Sequence, residues 1–192
     1  MTVNTIIKSN HLFPNFNKVL ESKCDYYIFQ LDCSSIPSFK DFNFDKRGTG
    51  HLENFFKSLD KIHGPALYWF ECEDISCAMK AKTLIAEFKS RKSEHLRTVP
   101  ALNKNVDSQV LYVGVRRGGV RKRDGFTNIG ARMFQHLGYY SKGSTQGLQL
   151  VHWTSDLKLK VHILALNSAA KPFLNVLEKL YAIELNPLVG KH

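Results

Sequence analysis

No CxxC pair and no His pair at zinc-finger spacing accompany the four cysteines, Cys24, Cys33, Cys72 and Cys77. A structural metal site is therefore not expected, and the thiols read as buried and reduced. No run of about eighteen apolar residues occurs, and the first residues, MTVNTIIKSNHLF, carry no apolar core of the secretory kind. A soluble, cytoplasmic protein with no membrane partner is expected. There is also no repeat, no low-complexity tract and no long Pro/Ser linker, so any domain boundary has to be read from turn residues and from shifts in charge. Acidic residues are the scarce class, 17 Asp and Glu against 27 Lys and Arg. What is present in quantity is apolar content, 43% of 192 residues, which suffices for a packed core in one medium domain with or without an accessory segment.

The excess positive charge is unevenly placed. Residues 1–60 hold seven Lys or Arg against seven Asp or Glu, whereas residues 61–192 hold twenty against ten. A basic balance concentrated in one part of a chain suits a polyanion partner, most simply nucleic acid, while an ordinary basic surface kept for solubility is the plainer explanation. The charge shift falls near His63-Gly64-Pro65 and divides the chain into an accessory segment, 1–60, expected to add a strand or helix and to serve recognition or a dimer contact, and a main domain, 61–192.

Periodicity supplies a coarse map. DYYIFQLDC (25–33) reads as a strand and HLENFFKSLDKI (51–62) as a short amphipathic helix. ALYWFEC, starting at Ala66, is a second strand. Residues 74–93 form a helix with Asp74 as cap and apolar residues at Ile75, Met79, Leu84, Ile85 and Phe88. A strand follows from Val110 to Val115. Thr127 or Asn128 caps a helix that reaches Leu137 and stops at Gly138. TQGLQLVHW suggests another short helix and LKLKVHILAL a further core strand. Pro172 opens a last helix through about Glu184, with Phe173, Val176, Leu177 and Leu180 as its buried stripe. Mixed strands and helices predict a compact α/β sandwich.

Several polar residues stand out against this map. Alternation puts Tyr68 on one face with Ala66 and Phe70, and Tyr112 on one face with Val110 and Gly114. If the two strands are neighbours, two phenols flank one shallow site, and Gly114 leaves room for a ligand against the backbone. Taken singly, each tyrosine is more often an ordinary half-buried residue. Arg132 and His136 run along the edge of the apolar stripe Ile129, Met133, Leu137, where an arginine has the planar fork that grips phosphate. The plainer reading is a solvated helix face. Glu178 lies beside the last helix's apolar stripe, a carboxylate suited to a hard cation or to a salt bridge. Arg116, Arg117, Arg121, Lys122 and Arg123, with Lys142 beyond them, form a basic set between strand and helix that suits a phosphate backbone, and Gly118 and Gly119 suggest a loop that orders on DNA.

The order of these features resembles the GIY-YIG nuclease superfamily. ALY (66–68) is similar to the first half of its signature, YVG (112–114) to the second, Arg132-Met133-Phe134-Gln135-His136 to its helix, and Glu178 to its metal-binding glutamate. The resemblance covers about residues 64–192. It implies a small three-stranded central sheet flanked by helices, with an N-terminal extension and an inserted helix at about 74–107. It also implies a Mg²⁺- or Mn²⁺-dependent endonuclease, one ion per site on Glu178, cutting DNA in the manner of restriction-type members. Tyr68 would accept or relay a proton, Tyr112 orient water or bond phosphate, Arg132 stabilise charge, and His136 position its neighbours or act as reserve base. Double-stranded DNA is the expected partner, and a homodimer is one arrangement that fits. A non-cutting nucleic-acid-binding module on the same fold, and a structure-selective or RNA-directed nuclease, are the alternatives. The sequence departs from the pattern in the 43 residues between Tyr68 and Tyr112, in the long basic loop before Arg132, and at Gly190, which stands about where an asparagine often follows the terminal proline.

Overall fold

Every strand read from alternation is formed, and each is a partner in one sheet. The computed structural model describes residues 24–39, 51–91, 97–104, 108–140 and 147–190. Among them lie β1 (Asp25–Asp32), α1 (His51–Leu59), β2 (Ala66–Cys72), α2 (Ile75–Ser90), β3 (Val110–Arg116), α3 (Asn128–Leu137), β4 (Lys158–Ala165) and α4 (Leu174–Leu185). The sheet order is β1-β4-β2-β3 and all neighbours are antiparallel. The sheet therefore has four strands, three from residues 61–192 and β1 from the N-terminal segment. β4 is an inner strand with Leu159, Val161 and Ile163 buried, so both of its backbone edges need partners; β2 takes one and β1, from the N-terminal segment, takes the other.

Helices cover the sheet unequally. On one face, Leu31, Ala66, Tyr68, Phe70, Cys72, Val161 and Ile163 pack with Leu52, Phe56 and Leu59 of α1, Ala78, Ala81 and Ile85 of α2, and Ile129, Met133 and Phe134 of α3. The inserted helix α2 therefore shares the main core. On the other face, Leu67, Trp69, Val115 and Leu164 meet Leu174 and Leu177 of α4. The expected stripe of α4 needs correction: Leu174 and Leu177 are buried, Phe173 and Leu180 only partly, and Val176 is 49% exposed. The register slips because Pro172 lies in a 3-10 turn, Ser168–Phe173, and the α-helix begins only at Leu174. Of the short helix suggested by TQGLQLVHW, the described residues, 147–153, form one 3-10 turn, Leu150–His152, entered through Gln149 in the left-handed region.

Local signals set the helix ends that matter for the site. Asp74 accepts the Cys77 N–H at 2.7 Å and starts α2. Thr127 accepts the Gly130 N–H at 3.1 Å and donates to the Leu59 carbonyl at 2.9 Å, so the cap of α3 is also tied to the end of α1. Gly138, at φ 102°, ends α3. Beyond α4, Leu188 and Val189 donate to the Val110 and Leu111 carbonyls at 2.8 and 3.0 Å. Gly190, at φ 126°, completes that turn by donating to Ala101. The C-terminal chain thus covers the start of β3 and leaves its later half beside α4.

No disulfide links the cysteines: Cys33 and Cys72 are buried, Cys24 and Cys77 partly so. Burial pushes the Cys33 thiol up to about 12, which makes it unreactive at neutral pH. No helix among the described residues is long and apolar enough to cross a membrane.

Candidate active site

Strand register brings the two tyrosines together. β2 and β3 pair with Tyr68 opposite Gly114 and Phe70 opposite Tyr112, so both phenols rise from the face that carries α3, their ring centroids 6.2 Å apart. Contrary to the expectation from the sequence, Gly114 does not leave the backbone open to a ligand. A Cβ there would stand 2.5 Å from Tyr68 Oη and 2.8 Å from the Tyr112 ring, distances no packed side chain tolerates. The missing side chain makes room for Tyr68 itself.

α3 crosses above this pair and supplies the guanidinium that joins it. Arg132 Nε donates to Tyr68 Oη at 3.0 Å, Nη2 to Tyr112 Oη at 3.1 Å and Nη1 to Gln135 Oε1 at 3.2 Å. Burial works against the guanidinium charge, but the two phenols outweigh it and raise its pKa further. One turn on, His136 is fully buried between Phe70, Tyr112 and Tyr68. Its Nδ1 accepts the Leu148 N–H at 3.1 Å, so the ring proton resides on Nε2, which donates to Tyr68 Oη at 3.0 Å. Burial, with Arg132 and Arg116 nearby, holds His136 neutral, well below its ordinary pKa.

Tyr68 Oη consequently accepts two N–H donors, and its own proton has only the cleft side left to occupy. Burial raises its pKa well above that of free tyrosine; Arg132 and Arg116 oppose this without overcoming it. The phenol is protonated at neutral pH, and any phenolate depends on those two cations.

The cleft in front of the tyrosines has a volume of about 670 Å³ and lies along the free half of β3, between α3 on one face of the sheet and α4 on the other. Glu178 reaches it from α4, half-buried. Desolvation raises its pKa, while Arg132, Arg116 and the Val115 amide oppose the rise. Arg116, Arg117, Arg121, Arg132 and Lys171 line the same cleft, five cations around one carboxylate. Such a site favours an anion with several negative oxygens.

All five residues expected to act together, Tyr68, Tyr112, Arg132, His136 and Glu178, meet here, His136 from behind Tyr68 and not on the cleft wall. The basic set divides. Arg116, Arg117 and Arg121 line the cleft and Lys122 and Arg123 do not, while Lys142 lies outside the described residues. The loop is folded against the domain: Gly119 donates to His63 O, Asn128 to Gly119 O and Arg121 to Phe126 O, each at 2.8 Å, and Arg121 is paired with Asp124 at 2.8 Å. Gly118 packs where a Cβ would be 2.4 Å from the His63 carbonyl, so its smallness serves that contact.

Arg116 belongs with the reacting groups more than with the loop. It is half-buried and interacts electrostatically with Tyr68, Tyr112, Arg132 and Glu178. The alternation of VLYVGVR, extended one residue, already puts it on the face of Tyr112 and Gly114. Gln135, Lys171 and Asn175 were not singled out either, although Asn175 and Glu178 have the one-turn spacing that aligns side chains on a helix.

Among the described residues, no group of three or more His, Cys, Asp or Glu side chains is placed to hold a metal ion. One carboxylate beside the Asn175 amide is a donor set for a hard cation that takes few protein oxygens. With five cations around it, such an ion fits only in company with an anionic ligand that brings oxygens of its own.

The buried imidazoles make stability pH-dependent. His136 and His162 both have folded pKa values below the ordinary 6.5, so in acid the unfolded chain takes up protons more readily than the folded one. The stability these groups allow is complete above about pH 6.5 and is lost as pH falls below it, by up to about 1.4 kcal/mol per unit for each. Thermal denaturation should show the midpoint falling through the weakly acidic range, and a His136→Gln variant should show a shallower fall. No family model, characterised protein or solved structure matched the chain.

Proposed function

We propose that the chain is a metal-dependent endonuclease that hydrolyses phosphodiester bonds in DNA, as its likeness in motif order to the GIY-YIG nucleases suggests. The observation that carries this reading is the Arg132 guanidinium held at once by Tyr68 and Tyr112, facing Glu178 across a cleft with four further cations. In the fold that goes with it, β4, β2 and β3 are the three-stranded centre of such a domain and β1 is an added edge strand. A cytoplasmic, restriction-type enzyme acting on double-stranded DNA is the specific form proposed.

The residues divide the work by position. Arg116, Arg117 and Lys171 draw the phosphate backbone into the cleft. Arg132 stands where extra negative charge builds up on the phosphate during attack, already aligned by three hydrogen bonds and needing no reorganisation. In its phenolate form, which Arg132 and Arg116 favour, Tyr68 Oη, held by Arg132 and His136, takes a proton from the attacking water as the water oxygen bonds phosphorus, and the resulting phenol later releases that proton to solvent. Tyr112 orients the water or the phosphate. His136, having no access to the cleft, positions Tyr68. Glu178, with Asn175 beside it, is the residue that would hold Mg²⁺ or Mn²⁺; bound there, the ion would neutralise the leaving oxygen.

The direct test is incubation of supercoiled plasmid with the purified protein in Mg²⁺, in Mn²⁺ and in EDTA, beside single-stranded DNA and RNA. Nicked, linear or discrete fragment products that disappear in EDTA are expected. Retarded migration without cleavage of any substrate would overturn the catalytic reading and leave a binding module. Preferential cutting of RNA would reassign the substrate.

A further inference from the structure

The sheet has two edges, and the site occupies only one. At the other, β1 runs for eight residues, DYYIFQLD, in unbroken register against β4, from Asp25 opposite Ala165 to Asp32 opposite Lys158. No strand among the described residues pairs with its outer side. Edge strands are usually protected by lysine, proline, a bulge or shortness. β1 contains neither lysine nor proline, shows no register shift and is longer than the usual five or six residues. It also presents Tyr26, 51% exposed, and Ile28, 52% exposed, on one face of the sheet.

We infer that this edge pairs with the same edge of a second copy, so that two sheets join antiparallel across a two-fold axis. Charge supports a second copy as the occupant. The chain carries a net charge of +10, yet residues 24–37 contain no Lys, Arg or His, so two copies meet here without bringing their cations together. Self-complementarity supports it as well. An axis perpendicular to the sheet must pair positions on the same face. Centred on Ile28, it sets Ile28 against Ile28 of the second copy, Tyr26 against Gln30 and Tyr27 against Phe29. Asp25 then meets Leu31 and Asp32 meets Cys24, so the carboxylates never face each other. The strand is firmly seated for such a role: Tyr26 Oη lies 2.6 Å from Nδ1 of the buried His162, and Tyr26 and Trp69 stack at 5.9 Å. This inference is independent of the nuclease reading, since β1 contributes nothing to the cleft.

Light scattering of the full chain eluting from a sizing column tests it. The wild type should elute at twice the chain mass, and Ile28→Lys at the mass of one chain with unchanged far-ultraviolet circular dichroism, because an exposed edge position tolerates lysine. Val120→Lys, an equally exposed apolar position in the loop after β3, should remain dimeric. Hydrogen exchange should find the outward-facing β1 amides, those that do not pair with β4, protected in the wild type and unprotected in Ile28→Lys. A wild type that is monomeric at the highest soluble concentration, or a dimer that survives Ile28→Lys, overturns the inference.

Discussion

Replacing Glu178 by Gln is expected to reduce Mg²⁺-dependent plasmid cleavage by about 10³-fold, the scale of losing one principal stabiliser of transition-state charge. The same change should leave DNA retardation intact or slightly stronger. Among the described residues Glu178 is the single carboxylate beside five cations on the cleft wall, and Arg116 and Arg132 already act on it. Removing its charge makes the cleft more positive, which favours a polyanion while depriving a metal ion of its only charged ligand. The substitution is nearly isosteric, and the residue is half-buried beside the Val115 amide, so folding should be little affected. Cleavage and retardation measured on one preparation separate the two effects. Glu178→Gln cutting within tenfold of wild type would remove Glu178 from the metal's coordination.

Arg132→Lys should be nearly as severe, about 10²- to 10³-fold in single-turnover cleavage, although the charge is conserved. Arg132 makes three hydrogen bonds in three directions, to Tyr68, Tyr112 and Gln135. A lysine ammonium at the end of a flexible stem cannot reproduce that planar fork, and the phenols lose their common brace. The loss should appear in the rate and much less in the DNA concentration giving half-maximal retardation, since four other cations still line the cleft. Arg123→Lys is the control: Arg123 does not line the cleft, and its cleavage rate should match wild type. Equal effects of the two substitutions would argue that Arg132 acts only as one more member of a basic surface.

The sequence and the fold agree where local pattern alone decides the outcome. Ala66–Cys72 is a strand with the predicted ends, because an apolar run of strand length stops just before Asp74, which is ready to cap the helix that follows. Thr127 and Gly138 likewise bracket α3 as expected. Disagreement begins where the answer depends on what lies opposite. Alternation shows that Gly114 faces the same way as Tyr112, but only the pairing partner reveals that the vacant volume belongs to the Tyr68 ring. The same limit applies to β1. Its sequence reads as a strand, yet its neighbour is more than a hundred residues away, and local periodicity carries no trace of that pairing. Gly118 and Gly119 read as flexible until the His63 carbonyl against which they pack is known. The meeting of Tyr68, Tyr112, Arg132, His136 and Glu178 was legible as an order along the chain; that Arg116 joins them depended on one residue of strand length.

The strand order has a metric consequence. The cleft lies beside β3 and the pairing edge is β1, so the two features are as far apart as the sheet allows. In a dimer joined through β1, three interstrand steps within each copy and one across the junction, at about 4.8 Å each, separate the two β3 strands by roughly 34 Å, and each cleft lies beyond its own β3. Because each cleft lies at the outer edge of its own sheet, the two would open away from each other, and a dimer of this kind would serve two separate stretches of polyanion rather than one.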